Sequence, residues 1–379
     1  MAQKNNISIT RDYLYFTDKY FPRTRQILEA EGINPLVRYQ AFVRKPGVVN
    51  GVDEAVDFIK NVSGDKVKVY ALRDGNSYDS CEPLLKIEGR VQDLVNLETV
   101  YLGIISGALT NNVNMNEVRQ KARDIFNAAQ GKPILYMGAR HFDYSLDEEI
   151  AKICQEEEFI GCSTDIGAKA WNAKGLGTTP HALVVSYASY MDENNLAGNP
   201  TVEAAKGFDR NIDKNVSRIM LVDTFNREIT DTLETARAVP NLAGVRIDTC
   251  GENYTQGSVG LELPELDVPE KYLRGKGVTI ASVWGLRKIL VEQGYGNLGQ
   301  VVSSGFNAEK TKAFLKADKA FQEMYGFPLF TLIGTGSIAN PTMATSDIVA
   351  YFNEKQGEWK EMHKVGRSEI QTSRLEKIK

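Results

Sequence analysis

Apolar and polar positions along this chain follow two rhythms. Over the first 115 residues, helical and strand spacings mix. "GVDEAVDFIK" (51–60) carries apolar residues at helical intervals, while "KVKVYAL" (66–72) and "PLLKIEG" (83–89) alternate as strands do. "DGNSYD" (74–79), between those strands, is rich in turn formers. "DLVNLETVYLGIISGALTNN" (93–112) is long, apolar and periodic, and reads as a buried helix crossing from one domain to the next.

From about residue 117 short apolar runs recur, each ending in small or polar residues. They are "ILYMGAR" (134–140), "EFIGCS" (158–163), "ALVVSY" (182–187), "RIMLVD" (218–223), "AGVRID" (243–248), "GVTIAS" (277–282), "QVVSSG" (300–305) and "LFTLIGTG" (329–336). Helical patterns lie between several of them, at 146–158, 227–239, 283–294 and 307–326. Strands alternating with helices predict parallel βα units, and seven or eight of them suggest a barrel; a doubly wound sheet is the alternative. The expected fold is therefore α/β. An N-terminal α+β domain (1–115), completed in part by C-terminal segments, precedes an α/β barrel (116–345) and a closing segment (346–379). The polar, charged stretch 353–379 reads as solvated.

Composition narrows the function classes. Of 379 residues, 42% are hydrophobic and 25% charged, ordinary values for a globular protein with a large core. The net charge of −4 and the lack of a basic patch argue against nucleic acid as a partner. No apolar run approaches the roughly 18 residues needed to span a bilayer. "MAQKNNISITRDYLYF" lacks an apolar signal core, so the expected location is the cytoplasm, with no membrane partner. Cys81, Cys154, Cys162 and Cys250 form no CxxC pair and read as free thiols.

Barrels carry their functional groups at the C-terminal ends of the strands. The run ends here hold Arg140, Ser163, Asp223, Asp248, Ser304, Gly305, Gly334 and Thr335. "SSGFN" (303–307) and "LIGTGS" (332–337) place glycines where strands turn toward helices, which lets backbone amides approach a phosphate. Ordinary turns are the alternative. Asp223 and Asp248 end successive strands, where carboxylates bind ribose hydroxyls, hold magnesium together with substrate oxygens, or merely cap helices. Arg246 and Asp248 share a strand face, so the guanidinium either pairs with the carboxylate or binds a ligand. The chain has three histidines. His181, after "GLGTTP", is a candidate nucleophile or phosphate acceptor, with His141 as its rival and His363 in the solvated tail.

Several of these pieces, taken in order, carry a family resemblance: "FTDKYF" (16–21), "EPLLKIEG" (82–89), "LETVYLGIIS" (97–106), "GARH" (138–141), "GTTPHAL" (177–183), "LVDTFN" (221–226), "VRIDTCGE" (245–252), "SSGFN" and "IGTGS". The chain resembles the nicotinate phosphoribosyltransferases, type II phosphoribosyltransferases of NAD synthesis, and most closely their short members. The resemblance implies an irregular α/β barrel with an N-terminal sandwich domain, in a homodimer with shared active sites. It implies that nicotinate and phosphoribosyl pyrophosphate give nicotinate mononucleotide and pyrophosphate, with magnesium. It also implies coupling to ATP hydrolysis through a phosphohistidine at His181. Arg140 would contact substrate anions, and Tyr20 would stack on the pyridine ring from the neighbouring subunit. Arg246 would lie on the other ring face. Asp223 and Asp248 would serve the ribose or magnesium, and Ser304, Gly305, Gly334, Thr335 and Gly336 would hold the 5′-phosphate. Ser163, Asp165 and Thr178 would line the substrate site.

Asp165 stands where the family often has an asparagine, and a carboxylate there would repel nicotinate and favour the amide of nicotinamide. "DTCGE" replaces the family's "DSGD", and the tail lacks the cysteine-rich metal site of some short members. Quinolinate is a further candidate substrate, though "GARH" offers only one arginine with one histidine for a dicarboxylate. From other classes, a sugar-phosphate lyase or aldolase would need a Schiff-base lysine, and Lys132 and Lys169 end no clear apolar run. A ligand-binding homologue without turnover is the third possibility.

Overall fold

The computed structural model describes residues 9–110 and 112–378. Two six-stranded sheets organise the chain. The first is antiparallel, in the order Glu358–Glu361, Ala344–Asn353, Leu36–Val43, Pro83–Arg90, Lys68–Ala71, Glu376–Ile378. Its central strands Leu36–Val43 and Pro83–Arg90 are buried along almost their whole length. Half of this sheet comes from the C-terminal end of the chain.

The stretch read as solvated, 353–379, is mostly exposed, but Lys364 within it is buried and Glu369 reaches the sheet. Glu369 accepts from Lys86 at 2.6 Å and from Arg38 at 3.0 Å, and Arg38 also pairs with Glu88 at 2.6 Å. These charges are held between the tail and the sheet, where mutual pairing replaces lost hydration.

The second sheet is parallel, in the order Gly161–Cys162, Ile134–Tyr136, Leu332–Thr335, Gly299–Val302, Leu242–Ile247, Arg218–Leu221. Six of the eight expected strands are present, curled as a half-barrel that stays open between its second and third strands in chain order. Two expected strands are helical instead. "ALVVSY" lies in the helix His181–Glu193, whose residues 182–189 are all buried. A run buried on every side has no period to distinguish helix from strand. Ser186 and Ser189 satisfy their hydroxyls on carbonyls four residues back, at 2.7 and 2.8 Å. "GVTIAS" turns into the helix Ile280–Glu292, because Thr279 and Ser282 form a reciprocal capping box.

The long apolar segment forms the helix Glu98–Leu109, buried over its first nine residues. Asn111, at the end of the expected span, and residues 1–8, which carry part of the signal reading, lie outside the described residues. Among the described residues no helix is long and apolar enough to cross a membrane.

Candidate active site

The C-terminal ends of the parallel strands face the antiparallel sheet across a cavity of about 410 Å³. Arg44, Arg140, Arg246, Lys364 and Arg367 line it, together with Asp18, Glu98, Asp248 and Asp347. Two helix N-termini flank it. His181 is the first residue of one helix, and Ser304 and Gly305 lead into the other, Ala308–Tyr325. Helix N-termini favour anions through free N–H groups and the helix dipole.

Several expected residues meet here: Tyr20, Arg140, His181, Arg246 and Asp248 on the walls, and Ser304, Gly305, Gly334 and Gly336 in the two loops. Ser304 and Gly305 are consecutive left-handed residues, with φ of 74° and 70°. That conformation turns their backbone sharply before the helix cap at Asn307. Gly336 is required by crowding, since a Cβ there would lie 2.5 Å from the His141 ring. His141 also lines the cavity; its Nδ1 lies 3.2 Å from the Gly336 carbonyl, and burial drops its pKa to about 4.

Arg246 and Asp248 form the ion pair that their shared strand face allows, at 3.1 Å. Arg246 is fixed on three further sides, donating to Thr178 Oγ1 at 2.9 Å, Ser303 Oγ at 3.2 Å and the Thr179 carbonyl at 3.3 Å. Ser303 also donates to Asp248 at 2.8 Å. Burial works against the Asp248 charge, but Arg246 and Lys364 outweigh it and hold the carboxyl below its ordinary range.

Arg140 donates to Asp18 at 3.0 Å and to the Tyr20 hydroxyl, and lies 3.8 Å from Glu98. Burial pushes Glu98 up to about 8 despite Arg140, and Asp347 and Asp18 add to the rise.

Five expected site residues do not line the cavity. Asp165 pairs with Lys19 at 2.5 Å and accepts from the Gly175 amide at 2.9 Å. Ser163 is buried, and its carbonyl accepts from the Lys19 amide at 2.7 Å. These bonds tie the segment bearing Tyr20 to its own chain. Tyr20 lines this chain's own cavity. Thr178 is spent on Arg246, and Thr335 donates to the Phe306 carbonyl at 2.6 Å. Asp223 is fully enclosed behind Lys364.

Lys364, with Arg367, is what the sequence reading missed. The Lys364 ammonium lies 2.7 Å from Asp223 Oδ2, 2.7 Å from His181 Nε2 and 2.9 Å from the Asp248 carbonyl. Arg367 pairs with Glu252 at 2.7 Å and Asp347 at 3.2 Å. The available signal was "HKVGR" (363–367), two cations around a glycine that adopts φ 87°. Burial and the Lys364 charge hold the His181 pKa well below its ordinary value, so the ring is neutral. Burial opposes the Lys364 charge, yet Asp223 and Asp248 raise its pKa, which makes Lys364 the cation of the group.

A protein-held magnesium does not fit these donors. Asp223 is paired with Lys364 and Asp248 with Arg246, and among the described residues no group of three or more ligating side chains forms a metal site.

Residues 18–108 match the family described as quinolinate phosphoribosyl transferase, N-terminal domain. Over 146 residues, 38% of this chain, the sequence is 32% identical to nicotinate phosphoribosyltransferase 1 of Arabidopsis thaliana. That match spans about a quarter of the relative's length, 25%. The fold is shared with nicotinate phosphoribosyltransferase from Porphyromonas gingivalis, with a TM-score of 0.64, 11% identity and 92% of both chains covered. It is also shared with the Vibrio cholerae enzyme of that name, with a TM-score of 0.61, 14% identity, and 92% of this chain and 89% of that one covered.

Proposed function

We propose that this chain acts as a nicotinate phosphoribosyltransferase, transferring the phosphoribosyl group of phosphoribosyl pyrophosphate to nicotinate. The products are nicotinate mononucleotide and pyrophosphate, a step of NAD synthesis. The observation that carries the reading is one cavity where two helix N-termini and five cationic side chains surround a strand-end aspartate. This suits a ligand with two phosphate-bearing ends and a ribose between them.

The bond from ribose C1 to pyrophosphate breaks with both electrons leaving on oxygen. The pyridine nitrogen then supplies the pair for the new C1–N bond, and no proton moves. Such a reaction asks the protein for alignment and charge stabilisation rather than an acid or base. Asp248 faces the positive charge developing at the ribose, and Arg246 with Ser303 keeps it in place. The turn at Ser304 and Gly305 takes the 5′-phosphate. Arg140 and Tyr20 form the pyridine wall. Any magnesium would be carried by the pyrophosphate oxygens of the substrate, since Asp223 and Asp248 are already paired with Lys364 and Arg246. ATP is the proposed co-substrate, with His181 as phosphate acceptor, and the working unit is a homodimer.

The test is incubation with phosphoribosyl pyrophosphate, magnesium and nicotinate, with and without ATP, following pyrophosphate release and the mononucleotide. Nicotinamide and quinolinate run in parallel. Product from none of the three overturns the reading. Quinolinate is a second reading because the cavity carries Arg44, Lys364 and Arg367 beyond the "GARH" pair, enough positive charge to face a dicarboxylate.

A further inference from the structure

An ammonium group has three N–H donors. Lys364 directs its ammonium at His181 Nε2, 2.7 Å away, and at the Asp248 carbonyl, 2.9 Å away, and forms an ion pair with Asp223 Oδ2 at 2.7 Å. The Nε2 lone pair is thus occupied, so the ring proton sits on Nδ1, which lies 3.0 Å from Thr224 Oγ1. An imidazole attacks an electrophile through an unprotonated nitrogen with a free lone pair. In this arrangement His181 offers none.

Lys364 is carried by the stretch between the strands Glu358–Glu361 and Glu376–Ile378. This strap is tied to the site by its backbone, with the Val365 amide donating to the Thr224 carbonyl at 2.9 Å and the Val365 carbonyl accepting from Asn253 at 2.7 Å. The same strap thus holds both Lys364 and the residue that receives the His181 proton. The ammonium borders the cavity and is bound by electrostatics, so an incoming polyanion competes directly for it.

We propose that Lys364 is a positioning residue that keeps His181 unreactive in the free enzyme, and that a polyphosphate group entering the cavity draws its ammonium off Nε2. His181 then gains a free lone pair only when a phosphate-bearing ligand is present. This rests on the cavity taking such ligands, as proposed above, and its first test needs no turnover.

With three histidines in the chain, imidazole 15N spectra resolve each ring. At neutral pH the wild-type His181 shows the Nδ1–H tautomer alone, and inorganic pyrophosphate shifts its Nε2 resonance toward that of an unbonded nitrogen. Lys364→Met releases the ring to a mixture of tautomers, and Lys364→Arg restores the single one. Carbethoxylation mapped by mass spectrometry, with His363 as internal reference, is severalfold faster at His181 in Lys364→Met than in wild type or Lys364→Arg. A wild-type Nε2–H tautomer, or a pyrophosphate-insensitive Nε2 resonance, overturns the proposal without any variant. So does a carbethoxylation rate unaffected by Lys364→Met. A protein that forms no mononucleotide yet shows this tautomer control would instead remove the transferase reading and leave the inference standing.

Discussion

Lys19 and Asp165 form an ion pair at 2.5 Å that joins the N-terminal segment to the half-barrel. Both side chains are about a quarter exposed, at 24% each. Asp165 is thereby a structural carboxylate and not a reader of the pyridine substituent. The argument for nicotinamide, which needs Asp165 in the site, loses its basis. Asp165→Asn is expected to leave the ratio of kcat/KM for nicotinate and nicotinamide unchanged. It should lower stability by about 1 kcal/mol, typical for a partly exposed pair. A switch in substrate preference, measured by competition between the two, would place the residue back in the site.

His181→Ala should abolish ATP hydrolysis while mononucleotide synthesis continues with weaker use of phosphoribosyl pyrophosphate. A KM rise of about tenfold, equivalent to ~1.4 kcal/mol, is the expected scale. Parallel assays of ADP and mononucleotide formation check this. ATP hydrolysis at the wild-type rate would refute the phosphate-accepting role.

Gly305→Ala probes the phosphate turn. A Cβ there meets nothing within 4 Å, so the cost comes from φ of 70° alone, about 1 kcal/mol. The added methyl alters the turn that is to hold the 5′-phosphate. Thermal unfolding should show the small destabilisation, and steady-state kinetics a raised KM for phosphoribosyl pyrophosphate. An unchanged KM would mean that the phosphate binds elsewhere.

Glu98 makes stability depend on pH. Its carboxyl titrates near 4.5 in the unfolded chain and about 8 in the folded one. Between those values the folded protein keeps a proton that the unfolded chain has lost, so stability falls as pH rises through the window. Asp147 and Glu228, both raised to about 7 chiefly by burial, act with the same sign. Glu98→Gln removes one such contribution, a fall of about 1.4 kcal/mol for every step of one in pH across that window. Denaturant titrations from pH 5 to about 8 should show a flatter profile than wild type, and an identical slope would contradict the assignment.

Much of the site was legible because barrel chemistry sits at strand ends, and strand ends are marked by a change from apolar to small or polar residues. Arg140, Asp248 and the loops at Ser304 and Gly334 were found that way. Asp18 and Glu98 stood in motifs already noticed, but nothing local said that their carboxylates would face Arg140. The helix His181–Glu193 was misread because a run buried all round has no periodicity. The Thr279–Ser282 cap was a local signal that could have prevented the second error.

Sequence alone determined the alternation that makes the parallel sheet, the glycines that allow tight turns before helices, and the shared face of Arg246 and Asp248. Each follows from spacing within a few residues. Tertiary structure alone decided which charges meet. Lys364 lies 183 positions from His181, and Lys19 lies 146 from Asp165. Local spacing carries no information about pairs so far apart. Their meeting follows from how the C-terminal strands and the N-terminal segment pack against the half-barrel, where buried charges must find partners.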